Sequence, residues 1–538
     1  MKKILMRAGV MPYDEITPAD CLTRNILGGN SGNLFYQYSM VKALYTKGTE
    51  VVANQYKVNL NEIDRINEEY SAFVIPLADA FRKNFMKELS ELTELVKRLR
   101  IPCIVTGVGL RAPYEPDFSI SYSFDEEVKR FVNAVLEKSP MLGLRGEITG
   151  KYLKKLGYKE EKDFTIIGCP SLYANGAELK MKELDLKKDS AISISTILYA
   201  NPVLDRFIKQ IGDSYPNHYF VGQLRQELRL LYTGFGFDGS PLYPCKNVNS
   251  RDYKNGRARF FINVPSWLEH MKKMDLSVGG RFHGNVAGIL AGTPSILIAN
   301  DARKREFMSF HKIPGIAEKE ITEKLTLSDL VSKLDFSGAY RNHKENFEHF
   351  VGFLNTCGLD NIYKRKQEKD YFCDRMDKVT LDSGVKPLLH HNNETFEKRV
   401  LNSYEWLQET YTVLSQENQV FSQWVDLKNE GISLGKFFLE KGYLKVGLYG
   451  VNEIASKLYQ ELEPICDVHV ISIMDAVSGQ IFHGRSVQTI QESDLKQADV
   501  VVITKVSQYR QIKSEFPKGV NVISFAALLN EARSVTDY

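Results

Sequence analysis

Pairable cysteines, an excess of one charge and long apolar runs are all missing from this 538-residue chain. Its seven cysteines (Cys21, Cys103, Cys169, Cys245, Cys357, Cys373 and Cys466) are odd in number, scattered and never in a CxxC pair. That excludes a disulfide frame and a cysteine zinc site, and implies reduced, mostly structural thiols. Lys+Arg of 70 against Asp+Glu of 67 leaves a formal charge of +3, so no global field points to nucleic acid or an acidic membrane. Any anion recognition must be local. No uninterrupted apolar stretch approaches the ~20 residues of a membrane span. The start, MKKILMRAGVMPYDE, turns polar after a few apolar residues and reads as a first buried strand rather than a secretory core. The expected location is cytoplasmic, at most peripheral at the inner face of the membrane. No clustered acidic or histidine ligand set argues for a metal, and no cofactor is expected.

What is present is ample core material: 43% of residues are hydrophobic, and the length allows three or four domain-sized units. From residue 1 to about 180, strands alternate with helices: KILMRAG, LFYQYSMVKALYTKG, SAFVIPL, ELSELTELVKRLR, PCIVTGVG, MLGLR, EITGKYLKKLG and DFTIIG. A short polar bridge, Gly176 to Asp189, leads to a second α/β run that begins near Ala191 and closes near residue 335. Two such halves form a cleft lined by the carboxyl ends of their strands. Residues 336–440 lose the strand pattern, and the run ETFEKRVLNSYEWLQETYTVLSQENQVFSQW is long and amphipathic. It serves either self-association or packing on its own domain. Residues 441–538 read as a third, small Rossmann-like piece. Its opening has Gly447 and Gly450, but Glu453 stands where a dinucleotide fingerprint has its third glycine; Asp475 ends the second strand, where an acid could meet a ribose. The expected class is therefore α/β: two Rossmann-like halves, a helical connector and a C-terminal Rossmann-like domain.

The most informative stretch is GGRFHGNVAGILAGTPSILIAND, Gly279 to Asp301. MDLSVGG reads as a strand, Gly284 to Ala291 as a helix of small apolar residues, and Gly292-Thr293-Pro294 as its stop. Arg281 and His283 thus fall at a helix N-terminus, where unpaired N–H groups and the dipole favour an anion. The helix end alone lowers the pKa of His283; a multiply charged anion reverses that and lets the imidazole act as a general acid. The alternative is a glycine-relieved turn with a capping arginine.

Three further features bear on the same cleft. Gly28-Gly29-Asn30-Ser31-Gly32-Asn33 precedes a strong helix, so Gly29, Asn30, Gly32 and Asn33 could approach a ligand, or form a turn capped by Asn33. Arg145 ends the strand MLGLR just before a helix, the same placement as Arg281 but in the first half; facing arginines would clamp an anion, whereas a surface pair with Glu147 is the bland reading. Arg303 and Lys304 follow the strand SILIA at the same rim.

Four segments together resemble the polysaccharide pyruvyl transferase family over roughly the first 330 residues. They are Gly29 to Leu44, RGEITGKYLKKLGY from Arg145, TIIGCPSLY from Thr165, and GGRFHG through Phe310. The resemblance implies a fold like the GT-B glycosyltransferases and transfer of the enolpyruvyl unit of phosphoenolpyruvate onto hydroxyls of a saccharide acceptor, free or lipid-linked. It implies that His283 is the catalytic histidine, that Arg281 and Arg145 bind the donor, and that Arg303, with Lys304 beside it, supplies a further cation. The chain departs from the family in Cys169-Pro170, where Asp-Pro is common, and in Asn33, where an acid is common. A nucleotide-sugar glycosyltransferase remains the competing expectation, because one architecture serves both donors. A non-catalytic scaffold that assembles as a homo-oligomer through the helical connector or C-terminal domain is the third.

Overall fold

Strands with apolar residues on both faces dictate the architecture, because such strands must be covered on both sides and pair in parallel. The computed structural model describes residues 2–364, 370–390, 393–476, 478 and 480–535. These fall into two compact units, one of Met1–Tyr56 with Arg65–Arg399, the other of Lys57–Asp64 with Val400–Tyr538.

The first unit holds two lobes. In lobe 1, strands β1 (Lys2–Met6), β2 (Thr49–Ala53), β3 (Ala72–Pro76) and β4 (Cys103–Thr106) form a parallel sheet of order β2-β1-β3-β4. Beside it β5 (Leu142–Leu144) pairs with β6 (Phe164–Ile166), and Val108 bridges to Leu144. Lobe 2 is a six-stranded parallel sheet of β7 (Ile192–Ser195), β8 (Tyr219–Gly222), β9 (Ala258–Phe260), β10 (Leu276–Gly279), β11 (Ser295–Ala299) and β12 (Gly315–Ala317), in the order β12-β11-β10-β7-β8-β9. Arg7, Leu77, Gly107 and Arg145 follow lobe 1 strands, while Thr196, Gly280 and Asn300 follow lobe 2 strands. Ligands of open parallel sheets bind at these carboxyl ends.

One hydrophobic core runs through both lobes. Its hinge is the helix Asn33–Leu44, apolar almost all round and buried at nine positions. From this helix Phe35 meets Trp267 of lobe 2 edge-on at 5.0 Å, and Ser39 Oγ donates to the Pro170 carbonyl at 2.5 Å. The helix Gly338–Thr356 also belongs to this unit and stacks Phe350 on Tyr173 at 4.8 Å. Residues 336–440 are thus shared between the two units, which divide at 399/400 inside the helix Asn393–Asn429.

The second unit carries β13 (Lys445–Tyr449), β14 (His469–Met474), the hairpin β15 (Ile481–Phe482) and β16 (Arg485–Ser486), β17 (Val500–Ile503) and β18 (Val522–Ser524). Its parallel sheet has the order β14-β13-β17-β18. The Asp475 carboxylate, read from sequence as a ribose contact, is taken up by the Val451 N–H at 2.8 Å and by Lys505 Nζ at 2.5 Å. Among the described residues no helix is long and apolar enough to cross a membrane.

Gly279 closes β10 with φ +150°, where a Cβ would run into the Ser195 carbonyl of the neighbouring strand. Gly279→Ala must therefore push apart the two strands that carry the candidate site. It should cost on the order of 3 kcal/mol or more, seen as a lower urea midpoint.

Candidate functional site

The site begins where β10 stops. Gly280 N–H donates to Ser195 O at 3.0 Å, Arg281 is the N-cap, and the helix Phe282–Leu290 follows with every residue buried. Asn285 Nδ2 fastens the turn by donating to the carbonyls of Gly279 (3.1 Å) and Arg281 (3.2 Å). The first N–H groups of the helix are left for a partner outside it.

His283 is the second residue of that helix and lies on the seam between the lobes. Lobe 1 supplies most of its surroundings: Ser171 Oγ is 3.5 Å from Nε2, the Phe35 ring stacks at 6.5 Å and 4°, and Gly32 comes so close that a Cβ would collide with the imidazole. Burial pushes the imidazole pKa well below 6.5, and the cations Arg145 and Arg303 push it further. At neutral pH the ring is therefore neutral.

Arg145 leaves the end of β5, is 1% exposed and crosses to the same helix, its guanidinium 5.2 Å over the Phe282 ring. It donates weakly to Cys169 Sγ at 3.8 Å, lies beside the Tyr36 hydroxyl and makes no ion pair among the described residues. The bland reading, a surface pair with Glu147, does not occur: the side chain points inward, where Phe282 offers it a ring face and Tyr36 its hydroxyl.

The other expected cations are more occupied. Arg303 Nη1 donates to Asp79 of lobe 1 at 2.9 Å and Nη2 to Asp301 at 3.2 Å, so it ties the lobes together while still bearing on His283. Lys304 Nζ donates to Asn300 at 2.5 Å, and burial lowers its ammonium to about 8. Arg281 is drawn to the wall of lobe 2, where Nε donates to Thr196 O at 2.7 Å and the group lies near Tyr243, whose hydroxyl donates to Glu227. The arginine facing Arg145 across the seam is therefore Arg303, not Arg281, because the N-cap position aims Arg281 toward β7.

In the glycine/asparagine loop, Gly32 rather than Asn33 is the N-cap. Asn33 Nδ2 instead donates to Leu27 O at 2.9 Å, Asn30 Oδ1 accepts from the Gly32 N–H at 2.7 Å, and Gly29, at φ +85°, has open space around it. Ser31 N–H donates to Gln223 O, stitching the loop to lobe 2.

Several polar atoms here are shut off from solvent yet unbonded: Ser31 Oγ, Arg145 Nε, Gln223 Nε2, Arg281 Nη2 and Arg303 Nε. Burying an unpaired donor costs roughly 1–3 kcal/mol. Of these five atoms, four are N–H donors, the kind of group an anion would satisfy. Beside it a 410 Å³ cavity is lined by Arg7, Tyr36, Tyr56, Asp79, Arg82 and Phe85 among others. It reaches Asn33 next to Gly32, Tyr36 next to Arg145, and the carboxylate that holds Arg303. His283 itself is not on its wall. Among the described residues no three of His, Cys, Asp and Glu are placed to hold a metal ion.

The family model for polysaccharide pyruvyl transferases matches residues 30–302, half of the chain. The protein belongs to that family. No curated protein matches the sequence. Among solved structures, the family member is similar to a Staphylococcus aureus MnaA–UDP co-structure, with 13% identity over 69% of this chain and 100% of that one at a TM-score of 0.37. A Methanocaldococcus jannaschii UDP-GlcNAc 2-epimerase in complex with UDP-GlcNAc and UDP gives 13% identity, 66% and 99% coverage, and 0.37. The wall teichoic acid polymerase TagF gives 14%, 70%, 89% and 0.31.

Sequence reasoning missed Ser171, Gln223, His311 and Glu306 in this pyruvyl transferase family member. His311 Nε2 accepts from the Cys169 N–H at 2.9 Å, which fixes the segment before Ser171. Glu306 reaches from lobe 2 into lobe 1, where Oε2 accepts from Thr149 N–H and Oε1 from Thr149 Oγ1, both at 2.9 Å. Burial raises this carboxyl to about 7 against the pull of those donors and of Arg145. The folded chain keeps a proton that the unfolded chain releases above pH 4.5. Stability from Glu306 is therefore fullest below pH ~4.5 and declines as pH rises to ~7. Glu306→Gln keeps the shape and removes the titration. Relative to the parent, its urea-unfolding free energy should gain on the order of 2–3 kcal/mol between pH 4.5 and 8.

Proposed function

We propose that this protein transfers the enolpyruvyl group of phosphoenolpyruvate to two hydroxyls of a saccharide, leaving a pyruvate ketal and inorganic phosphate. The observation that carries the reading is the meeting of Arg145 and Ser171 from lobe 1 with His283 from lobe 2, at a helix N-terminus ringed by unbonded donors. A carboxylate and a phosphate on a three-carbon frame need such convergent donors. The acceptor's place in this reading is the 410 Å³ cavity, whose lining of Arg7, Asn25, Asn33, Asp79, Arg82 and Glu88 carries hydrogen-bonding groups suited to sugar hydroxyls.

The neutral imidazole is the starting state. A bound trianion offsets the field of Arg145 and Arg303, so His283 takes up a proton as the donor binds. The imidazolium protonates the methylene carbon of the donor, and positive charge develops on the central carbon. One acceptor hydroxyl adds there and loses its proton. The bond from that carbon to the phosphate oxygen breaks, phosphate departs, and a second hydroxyl adds with loss of its proton to close the ring. Because Gly32 abuts the imidazole and His283 is off the cavity wall, this reading requires the loop that carries Gly32 to shift before the donor reaches the imidazole.

A nucleotide-sugar donor is the second reading. The solved structures named above include UDP-bound enzymes, and two parallel sheets facing one another accommodate either donor. Thermal-shift titration separates the two: stabilisation by phosphoenolpyruvate and not by UDP is expected, and the reverse favours the nucleotide sugar.

His283→Ala should abolish phosphate release from phosphoenolpyruvate plus acceptor while keeping the folded circular dichroism spectrum, with a lower melting temperature from the cavity left beside Gly32 and Phe35. Calorimetry of phosphoenolpyruvate binding at pH 7.5, in two buffers of different ionisation enthalpy, should show uptake approaching one proton in the parent and none in the variant. Equal uptake in both removes His283 from the acid's role.

A further inference from the structure

The helix Asn393–Asn429 runs for 37 residues and carries a stripe of apolar side chains, most of it exposed among the described residues. With Tyr404 as position a of a heptad, the a and d places are Val400, Tyr404, Leu407, Tyr411, Leu414, Asn418, Phe421 and Val425. Tyr404, Tyr411, Leu414 and Val425 are each more than half exposed, and Tyr411 reaches 74%. The helix already uses another side: Val420, Trp424 and Leu427 are buried in the core of the C-terminal unit, with Phe421 partly packed beside them. At 3.6 residues per turn the stripe centres roughly 140° away from that packed side.

We infer that this stripe is the seam of a parallel two-stranded coiled coil between two copies of the chain. Three observations select a second copy as the occupant. A 3.5-residue repeat held over almost four heptads is self-complementary by construction, since each helix offers the knobs and holes the other needs. The lone polar a residue, Asn418, is the type that fixes register and two-strandedness, and it meets its equivalent only when the helices run parallel. The stripe from 400 to 425 is about 39 Å long at 1.5 Å per residue. Zipped against its equivalent, it buries on the order of the ~800 Å² per partner of a standard stable interface.

Light scattering on the full chain at tens of micromolar tests this. A dimer is expected for the parent and a monomer for Tyr411→Glu combined with Leu414→Glu. Both sites are exposed, so the helical circular dichroism and melting of the individual chain should survive the substitutions. Asn418→Cys in a Cys466→Ser background should cross-link copies under mild oxidation, because only the parallel, in-register seam brings position 418 against itself. A monomeric parent overturns the inference, as does a dimer that withstands the double substitution. A dimer broken by that substitution in which Asn418→Cys fails to cross-link overturns the parallel seam.

Discussion

The fit of Gly32 against the His283 imidazole is the constraint on which the rest of the first unit turns. It forces glycine at the start of the helix Asn33–Leu44, brings Phe35 parallel to the imidazole and carries that ring on to Trp267, so the interface between lobes is core rather than cleft at this point. A core interface is bistable or rigid, not gradually deformable. The same packing that removes water from His283 also holds its Nε2 3.5 Å from Ser171 Oγ. Other residues then serve to hold this fit: Asn285 fastens the turn before the helix, and His311 fastens the segment before Ser171.

Electrostatics in such a site cannot be settled by the protein alone. Arg303 is answered by Asp79 and Asp301, while Arg145 has the Phe282 ring face, the Tyr36 hydroxyl and a thiol, and no ion pair among the described residues. That asymmetry leaves one uncompensated cation next to a neutral histidine. A trianionic ligand would relieve Arg145, satisfy the unbonded donors and return the proton to the imidazole together, so binding and activation are one electrostatic event. Glu306 titrates in the opposite sense to His283: burial favours the neutral state of each, which holds the proton on the carboxyl and keeps it off the imidazole.

Much of this was legible in the sequence because it is local. A strand ending in glycines before a helix of small residues places Arg281 and His283 without tertiary knowledge, and Arg145 follows from the same strand-to-helix junction in lobe 1. The family resemblance named the same positions. What the sequence could not express is pairing over distance. Asp79 lies 224 positions from Arg303 and Thr149 lies 157 from Glu306, and spacing along the chain reveals neither pairing. Arg281 shows the limit most clearly: its N-cap position was readable, but the direction of its side chain is set by Thr196 and Tyr243 on other strands and loops. Asn33 fails for a local reason, since its amide finds the carbonyl of Leu27 and leaves the cap to Gly32.

The cations of GGRFHG and its neighbours divide into two functions that the sequence pattern merges. Arg303 is held half-buried between carboxylates of both lobes, so its removal would strand Asp79 and Asp301 and loosen the seam; buried pairs broken on one side typically cost 3–5 kcal/mol. Arg145 has no such partner, and its place is stabilised by packing instead. By that measure Arg303 holds the fold, whereas Arg145 and Arg281 make no ion pair among the described residues and each keeps a buried N–H unbonded.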